Sequence, residues 1–191
     1  MQRLTLLLVL LAGCAGSSRY MTKDETPDAI EPQAGQALIV FVRPSGAAYA
    51  IEFTVFDDKG NYVGQVPAKG HVLHAAAPGR HVYGVWAENT AVLDAEVAAG
   101  KIYIVEVAPR MGMWAARAHL LPVKRGSEDW DEAMEWVKET AEWDVDPELA
   151  KQWKTEKREG LEKQLQRAKE MWAKYDEEDK EKRTMRPADG R

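Results

Sequence analysis

The side chains best suited to metal binding or acid–base chemistry are the four histidines. They are His71, His74, His81 and His119. His71 and His74 lie three positions apart in a strand-like stretch, so they point to opposite faces and cannot both bind one ion. A metal-dependent hydrolase would need a composite site from His71, His81 and the acidic loop at Asp57 and Asp58. We favour the alternative, in which the histidines are surface or partly buried residues without a metal.

Composition and motifs exclude several classes of function. The chain has a formal net charge of −5, and no segment has the excess of lysine and arginine that binding to a phosphate backbone requires. It contains no G-x-S-x-G elbow, no glycine loop that would cradle a phosphate, and no H-E-x-x-H pair. We therefore expect no nucleic-acid partner, no catalytic residues, no enzymatic activity, no cofactor and no metal.

Cys14 is the only cysteine in the chain, so it can form neither an internal disulfide nor a thiolate zinc cluster. It follows a basic residue, Arg3, and the apolar run LTLLLVLLA. That run is much shorter than the roughly 20 residues that cross a bilayer, and it is typical of a secretory signal. A buried N-terminal helix or strand is the alternative, but the run has no periodic polar positions.

The sequence Leu11-Ala12-Gly13-Cys14 resembles the lipobox of bacterial lipoproteins. The resemblance implies that residues 1–13 are a signal peptide and that the Cys14 thiol receives a lipid. The new amino group is then usually acylated, and palmitate is an expected acyl chain. Two or more acyl chains form a stable membrane anchor, whereas a free exported thiol would be exposed to oxidation. Ala15 after the cysteine implies the outer membrane, facing the periplasm.

Downstream of the cysteine, composition divides the chain. Residues 14–35 are rich in Gly, Ser, Pro and charge, which predicts a lipidated N-terminus and a flexible tether. Residues 36–122 consist of short strand-like segments, among them ALIVFVR and the hairpin pattern TVFDDKGNYVGQV, with turn residues between them. No helical stretch separates these segments. We predict an α+β protein whose first domain is an antiparallel β-sandwich of about 7–8 strands.

Four stretches of this domain are similar to a domain of unknown function found in small bacterial lipoproteins. They are LIVFVRPSG, VFDDKGNYVG, AAPGRHVYGVW and AAGKIYIVEV. The Pro78-Gly79 turn before a strand also resembles the PEGA-type sandwich domains. The resemblance implies a β-sandwich in the cell envelope. It gives no information about an activity.

The C-terminal part, residues 127–183, predicts two charged amphipathic helices, followed by a disordered tail at 184–191. Asp146 and Pro147 in DVDPE are suited to begin the second helix. Apolar residues then recur at steps of four and three along a seam: Leu161, Leu165, Ala168, Trp172 and Tyr175. Gly160 should weaken this helix by up to about 1 kcal/mol.

Five of the seven tryptophans lie beyond residue 126. Trp136, Trp143 and Trp172 are candidates for an aromatic surface that binds a glycan, lipid headgroups or a partner helix. The alternative is that the tryptophans form the core between the helices and the sheet, which we favour for Trp130 and Trp153. The acidic first helix argues against binding to anionic lipid.

These patterns together predict a lipid-anchored envelope protein that acts as a non-enzymatic interaction or structural module. Its partner would be an envelope protein or the cell wall. The alternative is a glycan- or cell-wall-binding lipoprotein that uses the tryptophan-rich helices.

Overall fold

The computed structural model describes residues 19–27, 29–111 and 116–191. This part of the chain contains eleven strands, four α-helices and one 3-10 turn. The elements before the first helix are β1 (Met21–Lys23), β2 (Ala37–Arg43), β3 (Thr54–Asp57), β4 (Tyr62–Gln65), β5 (Gly70–Ala76), β6 (Gly79–Trp86), β7 (Thr90–Val97), β8 (Ile102–Met111) and β9 (Ala116–Val123). The remaining elements are α1 (Asp129–Glu139), β10 (Ala141–Val145), α2 (Pro147–Glu156), α3 (Arg158–Lys174), α4 (Glu177–Lys182), β11 (Thr184–Met185) and the 3-10 turn Pro187–Asp189.

The strands form two open sheets. The first has the order β1-β10-β5-β2-β8-β9 and the second the order β11-β7-β6-β3-β4. The predicted α+β class is confirmed, but the predicted count of seven or eight strands is too low. Three neighbouring pairs, β2–β8, β10–β5 and β11–β7, are also parallel rather than antiparallel. The additional strands are short ones that add to edges of the sheets, and no local sequence pattern marks them.

A shared apolar core, the central cluster, lies between the two sheets. It contains residues of the first sheet and residues of the second, among them Ile39, Phe41, Val105, Phe53, Val85 and Leu93. β2 is buried along its whole length because its alternate side chains serve two cores. Ile39 and Phe41 enter the central cluster, whereas Val40 packs on the outer face of the first sheet. A strand covered on both faces is continuously apolar, which explains ALIVFVR.

The helices cover the outer faces of the two sheets. α1 packs on the first sheet through Trp130, Ala133 and Val137. α3 packs on β6 and β7 of the second sheet. α2 contributes Trp153, which is 1% exposed and joins Tyr20, Phe56 and Leu161 in a third buried group.

The predicted pair of helices is instead four. The first predicted helix ends at Glu139, and the next residues form β10 beside β5. The predicted capping at DVDPE is confirmed, since the Asp146 carboxylate accepts hydrogen bonds from the backbone N–H groups of Glu148 and Leu149. The helix that begins there is interrupted at Lys157, whose backbone leaves the helical region, and again after Lys174.

Both ends of the described chain are more ordered than the sequence predicts. Met21–Lys23 lies in the predicted tether but pairs as β1 with β10. Thr184–Met185 lies in the predicted disordered tail but pairs as β11 with β7, and Met185 is fully buried. The backbone of Arg191 exchanges hydrogen bonds with Ile102. The physical reason is the same in each case, because an open strand edge offers backbone partners that the local sequence does not reveal. Among the described residues, no helix is long and apolar enough to span a bilayer.

Candidate functional site

The predicted lipid-attachment residue, Cys14, lies outside the described residues. The three candidate tryptophans are described, and each packs in a different place. Trp136 packs on the α1 side of the first sheet, and Trp143 packs against the central cluster between the sheets. Trp172 lies on α3, on the outer side of the second sheet. The fold therefore does not join the three indoles into one aromatic surface.

The histidines are likewise separated. His71 faces the outer side of the first sheet, and His74 faces the core, where it packs against the rings of Phe41 and Tyr83. Burial lowers the pKa of His74 to about 4. His81 lies on β6 of the other sheet, stacks on Tyr83 and donates a hydrogen bond from Nε2 to the Ala77 carbonyl. The expectation that His71 and His74 point to opposite faces of the sheet is confirmed.

Trp172 lines a groove between α3 and the second sheet, which we call the α3 groove. Its volume is about 340 Å³. Phe56, Asp57, Asp58, Arg80, Val82, Gly84, Val92, Asp94, Leu165, Ala168, Lys169 and Trp172 line it. The helical wall comes from the predicted apolar seam, because Leu165, Ala168 and Trp172 recur at steps of three and four and share one side of α3. The opposite wall is the outer face of β6 and β7.

Gly84 shapes the floor of the α3 groove. It lies on β6 opposite Phe56 of β3, and a Cβ added at this position would overlap the Phe56 ring. The missing side chain therefore lets the ring lie across the strand, where it is 1% exposed. Any larger residue at position 84 would have to displace Phe56 and with it the base of the groove.

Charged groups surround this apolar interior. Arg80 donates two hydrogen bonds to the Asp94 carboxylate, from Nε to Oδ1 at 2.8 Å and from Nη2 to Oδ2 at 2.7 Å. This pairing raises the pKa of Arg80, so the guanidinium stays charged. Asp57 accepts hydrogen bonds from the backbone N–H groups of Lys59 and Asn61, which fixes the β3–β4 turn at the groove.

The arrangement shares its general features with small-molecule binding sites. Apolar walls with a few fixed polar groups are typical of small-molecule pockets, whose volumes start at about 300 Å³. The polar groups that line the α3 groove are the carboxylates of Asp57, Asp58 and Asp94, the Arg80 guanidinium and the Lys169 ammonium group. Sequence reasoning found Trp172 but missed Arg80, Asp94 and Lys169. No local signal marks those three residues, because the sheet and the helix come together only in the fold.

Comparison with known proteins does not extend this description. No family model, no curated protein and no solved structure matches the chain.

Proposed function

We propose that the protein is a lipid-anchored, non-enzymatic interaction module of the bacterial cell envelope, and that the α3 groove is its binding site. The α3 groove carries the binding part of this proposal. The signal-like run and the lipobox-like Leu11-Ala12-Gly13-Cys14 support the anchor. On this proposal Cys14 holds the protein in the outer membrane, and the folded domain reaches into the periplasm.

The anchor is tested by labelling cells with radioactive palmitate. The wild-type protein should be processed and should incorporate the label. Cys14→Ser should remain an unprocessed, unlabelled precursor, because the thiol that accepts the lipid is absent. Normal processing of Cys14→Ser would refute the anchor.

A glycan of the cell wall is a second candidate for the bound molecule, and Trp172 in the α3 groove favours it. The apolar face of a sugar ring packs on an indole, while carboxylates such as Asp58 and ammonium groups such as Lys169 bond to its hydroxyls. The groove is about 340 Å³, which suits one or two sugar units rather than an extended polymer.

Sedimentation with purified peptidoglycan tests the glycan candidate, using the full chain in detergent. Trp172→Ala should weaken binding about threefold to tenfold, the value of one aromatic contact, whereas Trp172→Phe should retain most of it. Trp136→Ala serves as the control, because that indole packs on the other sheet. Absence of sedimentation, or equal loss for Trp172→Ala and Trp136→Ala, would eliminate the glycan candidate and leave a protein partner.

A further inference from the structure

A second cavity lies between β9 and the C-terminal half of α3, and we call it the β9–α3 pocket. Its volume is about 610 Å³. Four of the described residues that line it are cationic: Arg117, Arg167, Lys174 and Arg183. Two carboxylates, Glu88 and Glu170, also line it. The lining therefore has an excess of positive charge, although the chain as a whole has a formal net charge of −5. No described residue lines both this pocket and the α3 groove.

The positive charge on the β9 side is concentrated by the sheet register. β9 pairs antiparallel with β8, so that Arg117 lies directly opposite Arg110. Like charges in this position destabilise a sheet, and an anion beside them would offset the repulsion. Arg117 and His119 share a face of β9, because they are separated by Ala118, which is buried in the central cluster. Burial lowers the pKa of His119, and the charges of Arg183, Arg110 and Arg117 lower it further against the opposite effect of Asp179.

The α3 side of the pocket adds cations that are free to bind a ligand. Arg167 and Lys174 are exposed on α3. Neither they nor Arg117 form an ion pair or a hydrogen bond with a described residue. The Glu170 carboxylate between them on the helix accepts a hydrogen bond from the Gln166 amide at 3.0 Å and leaves their charges unpaired.

Arg183 is a buried cation whose orientation is fixed by the fold. Its side chain is only 10% exposed. Nη1 donates hydrogen bonds to the Asp179 carbonyl at 2.9 Å and to Asp179 Oδ1 at 2.8 Å, and Cζ lies 4.4 Å from the centre of the Tyr175 ring. Nε is buried and makes no hydrogen bond to a described residue. A buried guanidinium that keeps unused donor capacity is costly, so a fixed cation at this position indicates a binding role.

Asn89 holds the two sides of the pocket together. Its side-chain Nδ2 donates to the Ala118 carbonyl at 2.9 Å, and the Ala118 N–H donates to Asn89 Oδ1 at 2.7 Å. The amide thus pairs with the edge of β9 as a neighbouring strand would. It joins the turn before β7 to β9, and the pocket is formed before any ligand binds.

The arrangement suits a phosphate monoester better than a carboxylate. The terminal oxygens of a phosphate accept hydrogen bonds from several directions, whereas a carboxylate accepts mainly in its own plane. The cations of the pocket come from β9, from α3 and from the segment after α4. Guanidinium groups also bind phosphate through two parallel N–H···O bonds. The charge of a monoester, about −2 near neutral pH, matches a lining of four cations and two carboxylates.

We propose that the β9–α3 pocket binds the phosphate group of a phosphate monoester, with Arg117, Arg167, Lys174 and Arg183 around it. Met171 and Tyr175 line the same pocket and cover the organic part of the ligand. This site is additional to the α3 groove and does not depend on the lipid anchor. Its cations are contributed by separate elements, which is why no segment of the sequence shows an excess of lysine and arginine.

Isothermal titration of the full chain in a non-ionic detergent with glycerol 3-phosphate tests the proposal. We expect one saturable site whose affinity falls as the salt concentration rises, because salt screens charge pairs. Dimethyl phosphate, a monoanionic diester, is the control ligand and should bind at least about tenfold more weakly. Sedimentation with phosphatidylcholine vesicles, with and without phosphatidic acid, distinguishes a soluble monoester from a lipid headgroup that carries the same group.

Two exposed arginines test the two sides of the pocket with little risk to folding. Arg167→Gln on α3 and Arg117→Gln on β9 should each weaken binding about tenfold. Arg158→Gln is the matched control, because it removes the same charge from an exposed position of the same helix, outside the pocket. Arg158 lies about 14 Å from Arg167 along the helix axis, beyond the Debye length of about 8 Å, so the affinity should change less than about twofold.

Several results would overturn the proposal once circular dichroism has verified that each variant is folded. One is that neither glycerol 3-phosphate nor the vesicles with phosphatidic acid bind. Another is an equal loss for Arg158→Gln and Arg167→Gln, because the attraction would then reflect general charge rather than the pocket. Equal binding of dimethyl phosphate would also overturn it, because the site would not recognise a monoester. Binding of either monoester source that is weakened by both Arg167→Gln and Arg117→Gln supports the proposal.

Discussion

Gly160 provides a sharp test of how α3 is docked, because two opposite effects compete at this position. It lies in the first turn of α3, where sequence reasoning sees only a weak helix former. The structure shows a close approach instead: a Cβ at this position would lie 2.5 Å from Cη2 of Trp86 on β6. Gly160→Ala therefore improves helix propensity and introduces a clash at the same time.

The clash should dominate. Replacing glycine by alanine stabilises a helix by at most about 1 kcal/mol, and less within the first turn. Overpacking a tight contact costs about 1–3 kcal/mol. The Trp86 ring has little freedom to move aside, because the buried ring of Trp153 packs edge-on against it at 6.4 Å between centroids. We expect Gly160→Ala to lower the free energy of unfolding by about 1–2 kcal/mol.

Urea denaturation of a double-mutant cycle measures this effect. In the Trp86→Ala background the obstacle is absent, so Gly160→Ala should become neutral or stabilising by up to about 1 kcal/mol. The change of sign between the two backgrounds is the result that supports the proposed contact. If Gly160→Ala destabilises the protein equally in both backgrounds, Trp86 is not what the added methyl group meets, and the described seating of α3 on β6 is wrong.

Three other changes give expected outcomes of their own. Trp153→Ala should lower the free energy of unfolding by about 3–5 kcal/mol in urea, because it empties a fully buried site. Arg43→Met should lower the free energy of unfolding by about 3–5 kcal/mol in the same assay. The buried guanidinium donates hydrogen bonds to four backbone carbonyls, three in the loop that follows β2 and one directly after β4. If either variant left the free energy of unfolding unchanged, the role assigned to that side chain would be wrong. Burial, aided by the charge of His81 and opposed by Asp57, lowers the pKa of His74 from 6.5 to about 4. As the pH falls, His74 is protonated at a higher pH in the unfolded chain than in the folded protein. The free energy of unfolding is therefore retained above pH 6.5 and decreases as the pH falls towards about 4. His74→Phe should show a smaller loss between these pH values in urea titrations, and an equal loss would contradict the assignment.

The parts of the fold that the sequence predicts are those with strong local patterns. The apolar run of β2, the β3–β4 hairpin and the seam of α3 all appear in the structure close to the predicted positions. β10 is different. Its residues continue the apolar pattern of the preceding helix, yet the helix ends at Glu139 because β5 offers an open edge to pair with. Tertiary pairing overrides local propensity at this point.

The candidate sites divide in the same way. Trp172 is a candidate from local signals, namely the concentration of tryptophans beyond residue 126 and its place on the α3 seam. The other wall of the α3 groove is assembled from separate strands of the second sheet, and only the fold brings them to the helix. The composite site that the sequence offers for His71 combines it with His81, Asp57 and Asp58. The register instead places Glu142 beside it.

Photo-cross-linking in the native envelope tests the proposed function most directly. A benzophenone amino acid replaces Lys169, an exposed residue at the α3 groove, or Lys138, an exposed residue on α1 at the other sheet. Mass spectrometry then identifies the products. We predict a discrete adduct, with an envelope protein or a glycan, from position 169 that disappears with Trp172→Ala, and no such adduct from position 138. The same products from both positions, or a product at position 169 that is indifferent to Trp172→Ala, would contradict the assignment of the α3 groove as the binding site.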